Sequence, residues 1–223
     1  MRSHDDKIIS VFHHHPFCSS DSAIGVCRAL QEEFTVEIFG IEDLDDALER
    51  SSMIVFPGGI GDSDEWHKLF AKDKEKVKAW VERGGKYLGI CMGAYWADHN
   101  YFDLLKDLSC VQSIKQPETQ TTRSYGTVVD VMWMGEDTQM YFYDGCAIRG
   151  SGQCEVFAKY KSNHDWAAVV QDNVGVIGPH PESTKDWFTY KTHKYMKNHW
   201  HGGKHWRYLR DMVHYMLEDN RNC

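Results

Sequence analysis

Residues 84–95 read Gly-Gly-Lys-Tyr-Leu-Gly-Ile-Cys-Met-Gly-Ala-Tyr, the segment that indicates most clearly how this chain folds. The apolar run at 87–90 predicts a buried strand, and the residues after Cys91 predict a helix. Gly-x-Cys-x-Gly between them is the layout of a nucleophile elbow, with cysteine in the place of serine. The turn is strained and leaves no room for large neighbours, and the helix N-terminus favours a thiolate. The motif therefore predicts that Cys91 is a nucleophile.

A second segment supplies a base for this nucleophile. Residues 174–182 read Val-Gly-Val-Ile-Gly-Pro-His-Pro-Glu, a short apolar strand that leads to His180 and Glu182. A cysteine nucleophile needs a base within hydrogen-bond reach, and the base needs an orienting group. Side chains two residues apart on an extended chain point the same way. We therefore expect Glu182 to hold the imidazole while His180 takes the proton from Cys91.

A third segment predicts an oxyanion site. Residues 53–61 read Met-Ile-Val-Phe-Pro-Gly-Gly-Ile-Gly, a buried strand that opens into a glycine-rich loop. Such a loop presents backbone N–H groups to a developing negative charge. We expect the amides of Gly59 and Met92 to form the pair. A plain turn at residues 58–59 is the simpler alternative.

The three motifs in this order resemble the class I glutamine amidotransferase-like superfamily. Residues 55–59, 80–95 and 178–182 are most similar to the N-terminal domain of eukaryotic biotin-protein ligases and its stand-alone relatives, and the resemblance spans about residues 7–190. It implies an α/β fold of flavodoxin-like type. The expected core is an open, mostly parallel sheet flanked by helices, with an antiparallel β excursion in the second half. Nothing in the chain resembles the adenylate loop of the ligases, so ligase activity is not expected.

The resemblance and the strand ends together predict a substrate pocket. Sites on open parallel sheets form beyond the carboxyl ends of the strands, where residues 13–20, 58–66 and Cys91 are expected to meet. Glutamine-hydrolysing relatives usually carry Gln four residues after the nucleophile, where this chain has Tyr95. The expected pocket residues are Gly58, Tyr95, His15, Tyr143 and Asp144. Arg149 is a further candidate, for an anionic group of the substrate.

Composition indicates one cytoplasmic domain over residues 1–223. The chain is 42% hydrophobic and carries a formal net charge of −8, which disfavours nucleic acid as a partner. Seven cysteines without paired spacing indicate free thiols in a reducing compartment. No apolar run is long enough to cross a membrane. We expect no cofactor.

Periodicity predicts alternating strands and helices in the first half and short strands in the second. The expected helices span residues 19–34, 41–50 and 73–83, with a C-terminal amphipathic helix at about 204–218. The expected strands span residues 7–12, 35–39, 53–56, 87–90, 108–114, 125–133, 140–143, 155–160, 167–171 and 174–177. Residues 115–124 are expected to form a surface loop.

Two groups of histidines offer a metal site as an alternative interpretation. His13, His14 and His15 are adjacent, and neighbours on a strand alternate faces, so they suit one ion poorly. We expect a polar rim there and no metal. The second group lies near the C-terminus, where we expect a solvated surface; it comprises His193, His199, His201, His205 and His214.

The sequence thus predicts a cysteine-dependent amidase or amidotransferase-like hydrolase. Its Cys-His-Glu triad would act through a thioester on a small-molecule amide, and the expected protein partner is a synthetase or ligase subunit. The alternative is a catalytically silent module on the same fold that binds a ligand or a partner. In that case Cys91 would be an inherited thiol, and Tyr95 is the residue that favours this alternative.

Overall fold

The computed structural model describes residues 7–15, 17–189 and 194–218. The strands are β1 (Ile8–Phe12), β2 (Thr35–Phe39), β3 (Met53–Phe56), β4 (Lys86–Ile90), β5 (Leu108–Gln112), β6 (Thr127–Trp133), β7 (Glu136–Phe142), β8 (Cys146–Gly150), β9 (Glu155–Tyr160), β10 (Trp166–Gln171) and β11 (Val174–Ile177). The α-helices are α1 (Ser20–Leu30), α2 (Leu44–Arg50), α3 (Trp66–Leu69), α4 (Lys74–Glu82), α5 (Met92–Trp96), α6 (Lys185–Thr189) and α7 (Lys204–Leu217). Short 3₁₀ turns lie between several of them.

One mixed sheet joins all the strands in the described residues. Its order is β2-β1-β3-β4-β11-β10-β9-β6-β7, and β8 pairs with both β10 and β5. The strands from β2 to β11 in this order run parallel, and those from β11 to β7 pair antiparallel. The predicted α/β sheet with an antiparallel excursion is therefore confirmed. The excursion extends the same sheet instead of forming a separate layer.

Helices cover both faces of the parallel part, which explains why β3 and β4 are buried along their whole length. On one face, α1 and α7 pack against each other and against apolar side chains of β1, β3 and β4. On the other face, α2, α3, α4 and α5 enclose a second core rich in aromatic rings. The carboxyl ends of β1, β3, β4 and β11 are thus held at one edge by packing from both sides.

The second half differs most from expectation in two strands, β8 and β7. β8 is not predicted, because its Cys-Ala-Ile-Arg-Gly sequence has no alternation to mark it. β7 begins at Glu136, four residues earlier than expected, because Met134 and Gly135 form a tight hairpin turn with φ of 46° and 85°. That geometry suits a two-residue hairpin, but Met in its first position gives little sequence signal. The loop at 115–124 has no strand or α-helix.

The C-terminal amphipathic helix is present as α7. Leu209, Val213 and Met216 are buried as predicted, whereas Trp206 is only partly buried. The expected solvated histidine surface is wrong at His205, whose exposed fraction is 1%. His205 faces the segment that follows β11, so α7 also contributes to the environment of the site. His193 lies outside the described residues.

Candidate active site

The nucleophile elbow forms where β4 meets α5. Cys91 has φ 52° and ψ −103°, a backbone conformation that non-glycine residues rarely adopt. A Cβ on Gly93 would lie 1.9 Å from the carbonyl oxygen of Phe56, and one on Gly89 would lie 2.2 Å from the carbonyl oxygen of Gly93. Both glycines are therefore required by close backbone packing around the turn. The packing presents a partly exposed Cys91 side chain at the sheet edge.

Parallel pairing brings the second motif to the same edge. Ile90 of β4 is paired with Ile177 of β11, and the Cys91 amide donates to the Ile177 carbonyl at 2.8 Å. The chain then continues to His180, whose amide donates to the carbonyl of Tyr141 at 2.8 Å. This bond fixes the backbone of His180 against the excursion. The two motifs, distant in the chain, are thereby neighbours.

Cys91, His180 and Glu182 form a connected set of side chains. His180 Nδ1 lies 2.8 Å from Glu182 Oε1, and both residues are buried. Burial by itself lowers the pKa of His180, but the charges of Glu182 and Cys91 and hydrogen bonds to both side chains raise it to about 10. The two partners thus favour the charged imidazolium form of His180, whose ring lies between the Cys91 and Glu182 side chains.

Ser22 joins this set, although the sequence gives no signal for it. Its hydroxyl donates to Glu182 Oε1 at 2.6 Å and accepts from the Gly58 amide at 2.8 Å. A Cβ on Gly58 would lie 2.8 Å from His180 Cε1, and one on Gly25 would lie 2.5 Å from the carbonyl oxygen of Glu182. Helix α1 and the glycine loop after β3 thus close tightly around the His-Glu pair.

The two amides expected to bind an oxyanion belong to neighbouring residues. A Cβ on Gly59 would be 2.7 Å from the Met92 side chain. Bonds from Ser19 N to the Gly58 carbonyl and from Ile60 N to the Phe17 carbonyl hold the glycine loop. No hydrogen bond within the described residues uses the N–H of Gly59 or of Met92. Their role in binding an oxyanion stays a prediction.

The turn between β7 and β8 lies over the elbow. Cys91 Sγ donates to the Tyr143 carbonyl at 3.6 Å, and the Tyr95 hydroxyl donates to the Asp144 carbonyl at 3.3 Å. Burial raises the pKa of Tyr95 well above its ordinary value. The structure thus places Tyr95, Tyr143 and Asp144 beside Cys91. Their role in substrate binding stays a prediction.

Aromatic rings surround the His180 side chain. The rings of Tyr141 and Trp187 lie 5.9 and 5.2 Å from that of His180, and 4.9 Å from each other. Trp187 belongs to α6, a short helix that the sequence does not predict. Helix α7 holds the same segment of chain at Ser183. His205 Nε2 lies 2.9 Å from the Ser183 carbonyl, which also accepts from Trp206 Nε1 at 3.0 Å.

Two other residues singled out in the sequence lack described contacts with the triad. Arg149 is bound to Asp165 by paired hydrogen bonds of 2.9 and 2.8 Å, so it is not a free anion site. His15 is exposed in the loop after β1. The two preceding histidines have different partners: His13 bonds to Ser20 at 2.9 Å, whereas His14 stacks on aromatic rings.

The described ranges contain no group of three or more His, Cys, Asp or Glu side chains arranged to hold a metal ion. Across the same parts of the chain, no helix has the length and apolar character to span a bilayer.

Comparison with known proteins identifies the fold. Residues 26–108 match the family model described as Biotin-protein ligase, N terminal. A glutamine amidotransferase from Thermotoga maritima superposes with a TM-score of 0.67 at 12% identity, covering 97% of this chain and 100% of that one. The chain has the class I glutamine amidotransferase fold. PurLQS from Thermotoga maritima shares this amidotransferase fold, with a TM-score of 0.63 at 18% identity. The match covers 93% of this chain and 99% of that one.

A third structure with the amidotransferase fold is a putative GMP synthase subunit from Thermoplasma acidophilum. It gives a TM-score of 0.57 at 13% identity, covering 95% of this chain and 99% of that one. No curated protein matches the sequence. The resemblance drawn from the three motifs is confirmed, and at these identities the structural likeness concerns the fold.

Proposed function

We propose that the protein is a cysteine-dependent amidase or amidotransferase-like hydrolase. The observation that carries the proposal is the position of the buried His180 ring, which is hydrogen-bonded to the Cys91 side chain and lies 2.8 Å from the buried Glu182 carboxylate. A thiolate beside an imidazolium is the reactive form of a cysteine nucleophile. The Cys91 backbone strain and the free amides of Gly59 and Met92 support the same chemistry.

The reaction proceeds through a thioester. The Cys91 thiolate bonds to the amide carbonyl carbon, and the amides of Gly59 and Met92 hold the resulting oxyanion. The C–N bond breaks as His180 passes its proton to the leaving amine. Water then attacks the thioester, gives its proton to His180 and releases the acid, which restores the thiolate and the imidazolium. Glu182 orients the ring throughout, and the scheme needs no cofactor.

Free thiols and one structural neighbour support the proposed location and partner. All six cysteines in the described residues are free thiols, which supports a reducing, cytoplasmic location. One neighbour in fold is named as part of a synthase, so the proposed partner is a synthetase or ligase subunit. A small-molecule amide is the proposed substrate.

Acyl transfer to Cys91 tests the proposal directly. With p-nitrophenyl acetate, we expect an initial burst of p-nitrophenolate and an acetyl group on the peptide that contains Cys91. Cys91→Ala should lower the rate at least about a thousandfold, because no other group replaces the nucleophile. Cys154→Ser is the control, since this half-buried thiol belongs to none of the site's contacts. Equal rates in the Cys91→Ala variant and the wild type would contradict the mechanism.

A silent binding module is the second candidate. The hydrogen bond from Cys91 Sγ to the Tyr143 carbonyl favours it, because that bond uses the neutral thiol. Amide turnover separates the two functions. Release of ammonia or amine from a panel of carboxamides, lost in Cys91→Ser, supports the hydrolase. Acyl transfer without any turnover of amides supports the module.

A further inference from the structure

Two residues of the elbow donate hydrogen bonds to the same neighbouring turn. Cys91 Sγ donates to the Tyr143 carbonyl at 3.6 Å, and the Tyr95 hydroxyl donates to the carbonyl of the next residue, Asp144, at 3.3 Å. The Tyr95 amide bonds to the Cys91 carbonyl at 3.2 Å, so the two donors lie one helical turn apart, where side chains are neighbours. The β7–β8 turn is therefore held on the elbow at two successive carbonyls.

This turn has fixed ends and a strained middle. Phe142 is fully buried at the end of β7, and a Cβ on Gly145 would lie 2.1 Å from the carbonyl oxygen of Gly178. Between these ends, the Tyr143 side chain is half-exposed, and Asp144 has a φ of 51°, in the left-handed region that non-glycine residues rarely adopt. The peptide between Tyr143 and Asp144 is thus the part of the turn that rotates at least cost to the core.

The two neighbours of the Cys91 sulfur act on its proton in opposite directions. The Tyr143 carbonyl accepts a hydrogen bond only from the neutral thiol, whereas the charged His180 ring stabilises the thiolate. Three other titratable groups interact with Cys91, and burial raises the pKa of each, so they stay uncharged near neutral pH; they are Tyr95, Tyr141 and Tyr160. The turn adds the Asp144 carboxylate, which accepts from Gln112 and Ser124. Control of the thiol proton therefore lies between one carbonyl and one imidazole.

We infer that Tyr95 is a positioning residue, which holds the Tyr143 carbonyl on the Cys91 thiol and keeps the nucleophile in a resting form until the Tyr143–Asp144 peptide rotates. The inference rests on the proposed function, because it concerns the regulation of that same nucleophile. It accounts for the bond between thiol and carbonyl without making Cys91 inert.

Rotation of this one peptide reverses the contact. The peptide unit carries the Tyr143 carbonyl and the Asp144 N–H on opposite sides, so a half-turn takes the acceptor away from Cys91 and presents a donor in its place. The same rotation carries φ of Asp144 out of the left-handed region and relieves its strain. The thiol proton passes to water, and the thiolate then lies between the Asp144 N–H and the His180 ring.

Iodoacetamide, a small uncharged reagent, reports the thiolate at Cys91 through the alkylation rate of the peptide that contains it, measured by mass spectrometry. In the wild type we expect the rate to rise with pH to a plateau as the thiol ionises. Tyr95→Phe should raise the rate about fivefold at the foot of this curve, because one bond that holds the turn is lost, and should leave the plateau within about twofold. The pH of half-maximal alkylation should accordingly fall by about 0.7.

Tyr101→Phe is the matched control, since the Tyr101 hydroxyl bonds to Ser63 and Asp64 on a different loop. Its curve should coincide with that of the wild type. A Tyr95→Phe rate that rises equally at every pH would overturn the inference, because the turn would then block access without holding the proton. A Tyr95→Phe curve equal to that of the wild type, or a wild-type thiol already ionised at pH 5, would overturn it as well.

Two changes at Asp144 test the rotation. Asn tolerates a left-handed backbone as Asp does, whereas Ala does not. Asp144→Asn should therefore keep the wild-type rates within about twofold, and Asp144→Ala should shift the curve in the same direction as Tyr95→Phe. Both variants remove the negative charge, so a difference between them does not arise from repulsion of the thiolate. Equal curves for the two variants would contradict a role for the backbone conformation.

Amide turnover separates this inference from the proposed function, since alkylation does not depend on it. Faster alkylation of Tyr95→Phe at low pH, without turnover of any carboxamide, supports the resting contact and counts against the hydrolase. Turnover that is lost in Cys91→Ser, together with an unchanged Tyr95→Phe curve, supports the hydrolase and overturns the inference.

Discussion

At the residue scale, one hydroxyl connects the two halves of the site. Ser22 is fully buried, and its hydroxyl bonds both to the Glu182 carboxylate and to the Gly58 amide of the glycine loop. The loop carries Gly59, one of the proposed oxyanion amides. A change at Ser22 therefore alters the orientation of Glu182 and of the loop together.

Ser22→Ala should slow alkylation of Cys91 by iodoacetamide about tenfold and lower the free energy of unfolding by about 1–3 kcal/mol, since it leaves the Gly58 amide buried without an acceptor. Urea denaturation and peptide mass spectrometry measure the two effects. Ser20→Ala, two positions earlier in α1, is the matched control because Ser20 bonds to His13 instead. Ser22→Thr keeps a hydroxyl and should recover part of the rate. Identical alkylation in Ser22→Ala and Ser20→Ala would refute the positioning role.

The sequence reveals triad candidates more readily than the residues that position them. Cys91, His180 and Glu182 lie in short motifs whose glycines and prolines constrain the backbone locally. Ser22 stands in the first turn of an ordinary helix, and its partner Glu182 is 160 positions later. The burial of His205 is equally hidden, because charge and spacing give no indication that Ser183 lies against it. Such contacts follow from tertiary packing, which a single sequence does not encode in any local pattern.

At the element scale, the short helix α5 fits between two strands with almost no spare volume. Gly93 touches the backbone of β3, and Gly89 of β4 touches the backbone of Gly93. The elbow is thus packed against backbone atoms, which cannot move aside as flexible side chains do. This contact keeps Cys91 in its strained conformation.

Gly93→Ala should lower the free energy of unfolding by more than about 3 kcal/mol, because the new methyl group overlaps the Phe56 carbonyl. Gly40→Ala is the control. Its Cβ would approach only the flexible carboxylates of Glu42 and Asp43, at 3.3 and 3.4 Å, and the cost should stay within about 1 kcal/mol. Urea denaturation of both variants provides the comparison. Equal stability of the two would show that the elbow tolerates expansion.

Element prediction is reliable where burial makes a strand predominantly apolar. β1, β3, β4 and β11 are such runs, and their expected bounds agree with the structure within one residue. β8 lacks such a signal, and α1 ends at Leu30 although the spacing predicts a helix to residue 34. Phe34 is nevertheless buried, since the turn after α1 returns it to the core. Helical spacing of apolar residues therefore does not by itself mark where a helix ends.

At the scale of the whole molecule, two buried histidines give the stability opposite dependences on pH. The pKa of His180 is raised to about 10 in the folded protein. The charged ring therefore contributes fully to the free energy of unfolding below pH 6.5, and this contribution is lost as the pH rises towards 10. Burial lowers the pKa of His205, so its contribution is present above pH 6.5 and is lost as the pH falls. Stability should therefore decline on both sides of a neutral range.

Cys91→Ser should flatten the alkaline decline, because it removes the negative partner that helps to keep His180 charged. The urea midpoint, measured from pH 7 to 10, should fall less steeply in this variant than in the wild type. Cys154→Ser serves as the control and should keep the wild-type slope. A wild-type midpoint that stays constant from pH 7 to 10 would be incompatible with a raised His180 pKa.

The bonds from His205 and Trp206 to Ser183 have a consequence for synthesis. During translation the elbow emerges early, but the carbonyl next to the Pro-Glu segment gains its anchors only after the ribosome has passed residue 206. A nascent chain would thus carry Cys91 without a fully fixed His180 segment until α7 is made. The proposed activity would therefore arise late, after every described strand of the sheet has been made.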